Sequence, residues 1–130
     1  MHTIPYTAVY NEAGYIEFVY EGILLPADVM PMIFNAVSMA RKYNCYAYLG
    51  DFRDVETQFS TTAIYEIPAQ FFAVAQKQGI PVWKLKRALI AAPERYETFK
   101  FFEKVSCNRG QKVKVFTDGE EAMDWLMGSR

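Results

Sequence analysis

Apolar and polar positions change period several times along the chain, and each change marks an element. Tyr6-Thr7-Ala8-Val9-Tyr10 and Tyr15-Ile16-Glu17-Phe18-Val19-Tyr20 are rich in aromatic and β-branched residues, with the turn composition Asn11-Glu12-Ala13-Gly14 between them. They predict an opening β-hairpin. Asp28 can cap a first helix over 29–43, where Pro31 is tolerated because first-turn N–H groups are unpaired anyway. The apolar run from Cys45 to Asp51 predicts a buried strand, and Phe52 to Phe59 a polar loop. Ser60-Thr61-Thr62 offers capping hydroxyls to a second helix reaching about Gln78, with Ile64, Ile67, Phe71, Val74 and Ala75 at helical spacing. Pro68 should kink that helix, since its ring removes a donor and meets the preceding turn.

Gly79-Ile80-Pro81 ends it, and the next strand is expected from Trp83 to Ala91. Pro93 suits the start of a third helix with the face Tyr96, Phe99, Phe102 and Val105, stopped by Asn108-Arg109-Gly110. Lys112 to Phe116 is the last strand. Thr117-Asp118-Gly119-Glu120 then forms a capping box before a helix that buries Ala122, Trp125 and Leu126. The order ββαβαβαβα predicts an α/β fold with a mixed, mostly parallel sheet, edged by an antiparallel hairpin strand. No linker, repeat or low-complexity tract interrupts residues 1–130, so a single domain is expected.

Composition narrows the function classes. With 52% hydrophobic and 22% charged residues the chain is globular, and 130 residues bury enough core without a disulfide or metal. A net charge of -1 attracts neither nucleic acid nor an anionic membrane. Lys84-Leu85-Lys86-Arg87, with Lys100, Lys104, Arg109, Lys112 and Lys114, reads as a strand with one charged face rather than a nucleic-acid stripe. The start of the chain lacks the pattern of a signal peptide and no stretch is long enough to span a bilayer, so a cytoplasmic protein is expected. Cys45 and Cys107 make no CxxC pattern, and the one histidine, His2, stands beside the terminus. A histidine-based mechanism would have to run through the N-terminus, which leaves a lysine- or carboxylate-based one as the enzymatic alternative. No phosphate-binding glycine loop, zinc motif or nucleophile elbow is present, so neither cofactor nor metal is expected.

Two features remain. Ligands of open parallel sheets bind at the carboxyl ends of strands, which here carry Asp51, Arg53, Asp54, Glu94 and Arg95. These could frame a polar site, or form ordinary solvated caps and ion pairs. The first helix is also over-supplied with apolar residues, which fill nine of the twelve positions from Val29 to Ala40. One stripe would suffice to cover a small sheet. The excess, with Met30, Phe34 and Met39, must meet a neighbouring helix, a second subunit or an apolar ligand.

The ordered set of segments resembles the SpoIIAA-like family, single-domain relatives of the STAS domain. The likeness covers nearly the whole chain. It rests on Tyr15-Ile16-Glu17-Phe18 with Glu21-Gly22, Leu49-Gly50-Asp51-Phe52-Arg53, and Ile64-Tyr65-Glu66-Ile67-Pro68. It continues through Lys86-Arg87-Ala88, Asn108-Arg109-Gly110, Phe116-Thr117-Asp118 and Ala122-Met123-Asp124-Trp125-Leu126. The resemblance implies a non-enzymatic binding or regulatory domain acting on a protein partner or small ligand. A homodimer through Met30, Phe34 and Met39 is expected from the first helix. The resemblance also implies a candidate phosphoacceptor, Ser60, nine residues after Asp51; Phe59 and Thr62-Ala63 depart from the motif, whose serine follows an aspartate and precedes Gly-Leu. A distant likeness to Sec14-type domains implies the alternative function, a carrier of a lipid or other apolar small molecule in a pocket beside the first helix.

Overall fold

The computed structural model describes residues 4–128; His2 lies outside them. Strands β1 (Tyr6–Asn11) and β2 (Tyr15–Leu24) form the hairpin, and helix α1 (Val29–Tyr43) follows. Then come β3 (Ala47–Thr57), α2 (Thr61–Lys77), β4 (Lys86–Ala91), α3 (Tyr96–Asn108), β5 (Lys112–Phe116) and α4 (Gly119–Leu126). The five strands lie in the order β1-β2-β3-β4-β5, with β1 antiparallel to β2 and every other pairing parallel. This is the mixed, mostly parallel α/β sheet that the alternation of elements predicts.

The main departure is at β2 and β3. Both run on past their expected ends, and β3 takes up most of the segment from Phe52 to Phe59 that its polarity assigned to a loop. After a register shift between Val19 and Glu21, residues Glu21 to Leu24 pair with Asp54 to Thr57. Leu24 and Val55 are buried and pin this extension, while Arg53, Asp54 and Glu56 stay in solvent. Alternation was present there, but charge masked it. Two boundaries also shift. The segment from Trp83 joins a 3-10 turn, Val82–Lys84, and α3 is preceded by another, Pro93–Arg95. Asp28 makes no side-chain cap for α1 and instead accepts from the Leu25 N–H at 2.9 Å.

The two faces of the sheet are covered unequally. Ile16, Phe18, Tyr20, Phe52 and Leu89 belong to the larger core, together with Ile33, Val37, Phe71 and Phe99 from α1, α2 and α3. Leu49, Ala88 and Ile90 point the other way and meet Ala122 and Leu126 of α4. All three crossover helices therefore share one face. Three helices over a five-stranded sheet leave a seam, and the candidate site lies in it.

Candidate ligand-binding site

A cavity of about 110 Å³ opens between the three crossover helices and the sheet. Its helix side includes Met32, Ile33 and Ala36 of α1, Ile64 and Phe71 of α2, and Phe99 and Phe102 of α3. Its sheet side is Leu24, Tyr48, Phe52, Arg87 and Leu89. At its rim stand Thr57, Phe59 and Thr98, which are half-buried or exposed, so the cavity reaches the surface there. The lining is almost wholly carbon, as in sites for small apolar molecules.

Gly50 helps to hold the floor open. A Cβ at this position would stand 2.7 Å from Phe52 Cε1 and 2.9 Å from Tyr48 Cε1. Both rings lie back over the glycine, and a side chain there would tip them upward. Phe18 stacks on Tyr48 with centroids 5.3 Å apart, and Tyr20 on Phe52 at 4.8 Å, so an aromatic layer forms the base.

Behind the rim threonines the polar groups of the site are few. Burial pushes the Tyr48 phenol up to about 12, although its hydrogen bond with Tyr20 and the charge of Arg87 pull it partly back. Burial raises Tyr20 beyond the ordinary phenol range. Both are neutral at physiological pH. Arg87 is 3% exposed. Burial lowers its guanidinium to about 10, so it remains a cation at neutral pH. Its Nη2 donates to Gln111 Oε1, and its Cζ stacks 3.9 Å from the centre of the Phe71 ring. Gln111 is fixed in turn by donating from Nε2 to the Pro68 carbonyl at 2.8 Å. The alternation that made this strand look like one charged face instead sends Lys86 and Arg87 to opposite sides. The legible signal was Leu85 and Leu89, both buried and two residues either side of Arg87.

The strand-end residues lie elsewhere. Arg53 donates from Nη2 to Asp51 Oδ2 at 2.7 Å and from Nε to Asp51 Oδ1 at 3.0 Å, a bidentate pair. Burial would raise the Asp51 carboxyl, but its hydrogen bonds with Arg53 outweigh this and hold it below the usual range. Arg53 also feels Asp54 and Asp118, so these four residues form one cluster. Asp118 additionally caps α4 through Glu121 N at 3.0 Å. Glu94 and Arg95 form a second, looser pair at 3.8 Å, and no hydrogen bond or ion pair joins it to Asp51 or Arg53 among the described residues. Ser60 caps α2, its Oγ accepting from Ala63 N at 3.1 Å. Met30 and Phe34 are exposed on the outside of α1, whereas Met39 packs against the core.

Among the described residues no group of three or more His, Cys, Asp or Glu could hold a metal ion, and no helix is long and apolar enough to cross a membrane.

No family model matches the chain, and no curated protein matches it in sequence. Solved structures are similar in shape. One is an uncharacterized protein with a SpoIIAA-like fold from Shewanella loihica, at TM-score 0.56 and 19% identity, covering 97% of this chain and 95% of that one. The chain has the SpoIIAA-like fold. An anti-sigma factor antagonist from Mycobacterium paratuberculosis also superposes at TM-score 0.56, with 13% identity over 95% of this chain and 93% of that one. The unphosphorylated anti-sigma factor antagonist SpoIIAA follows at 0.53, with 13% identity over 95% of this chain and 99% of its own. At these identities the likeness concerns the fold.

Proposed function

We propose that this SpoIIAA-like domain is a non-enzymatic binding module that takes a small apolar molecule into the cavity between α1, α2, α3 and the sheet. The observation that carries the reading is the cavity itself, a carbon-lined space held open at Gly50 and reaching the surface beside Thr98. Well-packed cores rarely keep voids larger than a water molecule, because each costs dispersion contacts. Asp51 and Arg53 satisfy one another, which supports a structural role for the pair rather than a catalytic one.

Octanol titrated against the protein tests this, followed by methyl NMR. Signals from Ile33, Ile64 and Leu89 should shift together and saturably. Ala36→Leu, which fills the cavity from α1, should abolish the shifts while the protein stays folded. Unmoved methyls in the wild type would overturn the reading, as would undiminished binding in Ala36→Leu.

A second reading is favoured by the outside of α1. Met30 and Phe34 stand one turn apart and 45% and 56% exposed, a placement that fits contact with a second copy of the chain. Sedimentation equilibrium at micromolar concentration should then give a species near twice 15.0 kDa, dissociated by Phe34→Asp. A monomer removes this reading and leaves the cavity untouched.

A further inference from the structure

We propose that the molecule taken by the cavity is a small anionic amphiphile, a carboxylate on an apolar chain or ring, and that Arg87 receives its charge. The proposal rests on the cavity reading and adds the ligand's chemistry.

A guanidinium carries five N–H donors and a permanent charge. In this fold it is held on the cavity side of β4, between Leu85 and Leu89. Its protein partners are a neutral amide, Gln111, and the face of Phe71. Its buried Nε has no hydrogen-bond partner, and no ion pair reaches it among the described residues. A buried cation with a missing counter-charge and an unmet donor is costly unless something compensates it. Gln111 cannot turn to supply more, because its other end is committed to the Pro68 carbonyl. Tyr48, the polar group of the sheet side beside it, is a neutral phenol, and the rim threonines Thr57 and Thr98 carry no charge.

The chemistry that meets these needs is a pair of planar, negatively charged oxygens, which match the fork of a guanidinium. Metal chemistry and a phosphate cradle are not offered: the cavity has one cation and no glycine-rich loop, and carbon surrounds it. Size sets the rest. An engineered cavity of about 150 Å³ holds a benzene ring, so about 110 Å³ encloses roughly four or five carbons. A longer chain would leave past Thr57, Phe59 and Thr98, with its head at the buried end.

Octanoate and octanol separate the head from the tail. In calorimetric titrations at pH 7.5, octanoate should bind the wild type about tenfold or more tightly than octanol, the scale of one charge-assisted hydrogen bond. In Arg87→Gln the preference should vanish while octanol affinity changes little. The Arg87 Nε–Hε NMR signal of the wild type provides a readout that needs no variant. It should move with octanoate and stay still with octanol. Octanol bound as well as octanoate, with that signal unmoved, would overturn the assignment to Arg87 and leave the cavity reading standing. Failure of both ligands to bind would overturn the cavity reading itself.

Discussion

Lys86 and Arg87 are neighbours on one strand, yet the two faces of the sheet treat them differently. On the α4 side, the Lys86 ammonium lies 4.6 Å over the Trp125 ring and donates to the Trp125 carbonyl near the end of that short helix. Its stem covers apolar surface while its head stays near the edge. On the other side, Arg87 lies buried beneath three helices, and it ends at a cavity with an incomplete set of partners. One helix over a face permits a cation to escape. Three helices trap it. A buried cation with an unmet donor is therefore a better pointer to function than the more polar, self-satisfied groups at the strand ends.

The largest effect should come from the residue that holds Arg87. Gln111→Ala removes the guanidinium's hydrogen bond and leaves the Pro68 carbonyl without its side-chain donor. A loss of about 3 kcal/mol is expected in urea denaturation, the scale for stranding buried charged and polar groups. A loss below about 1 kcal/mol would mean that Arg87 finds water, and the contrast with Lys86 would collapse.

Gly50→Ala tests the floor that both faces share. The added methyl meets Phe52 and Tyr48 on the cavity side, so the rings must move into the empty space. A cost of about 1–2 kcal/mol is expected, with a reduced cavity and weakened octanol binding. Full retention of binding would show that Gly50 does not hold the cavity open.

Ser60→Ala and Lys86→Met act on the solvent side and should cost less. Loss of the Ser60 cap should remove about 1 kcal/mol from α2, as N-cap deletions do. Lys86→Met should cost about 0.5 kcal/mol, since the methionine keeps the apolar stem over Trp125. If Lys86→Met instead matched Gln111→Ala, burial on the two faces would be equivalent.

The sequence was informative wherever local chemistry decides. Helix α2 begins at the expected Ser60 cap and α4 at Asp118, strand β5 lies where its alternation placed it, and the strand-helix alternation that defines the sheet holds throughout. It misled where a residue's character and its surroundings disagree. Arg53, Asp54 and Glu56 look like loop, yet they are the solvent side of β3. Arg87 looks like surface, yet it shares a face with Leu85 and Leu89. The strand-end charges were visible as a group, but their pairing was not: Asp51 and Arg53 meet on one side of β3 only because that strand runs on through Arg53, and the approach of Asp118 depends on how β3 and the start of α4 meet. The cavity was foreshadowed only by the surplus of apolar residues on α1. Met32, Ile33 and Ala36 line it, while Met30 and Phe34 face outward.

The smallest effect concerns the pair that looked most like a polar site. Asp51 is held in its charged form by Arg53, so its folded-state carboxyl titrates below the unfolded one. A lowered acid contributes stability that is present above the unfolded value and lost as pH falls through the folded one. The acid limb of the stability curve should therefore be less steep in Asp51→Asn than in the wild type. Arg53 is half exposed, with its side chain 52% accessible, so solvent screens much of the interaction. At pH 7 the change should be below about 0.5 kcal/mol. Octanol binding should be unaltered, because neither residue lines the cavity. A drop in octanol affinity in Asp51→Asn would tie the strand-end cluster to the cavity and undo the separation of the polar end of the sheet from its apolar seam.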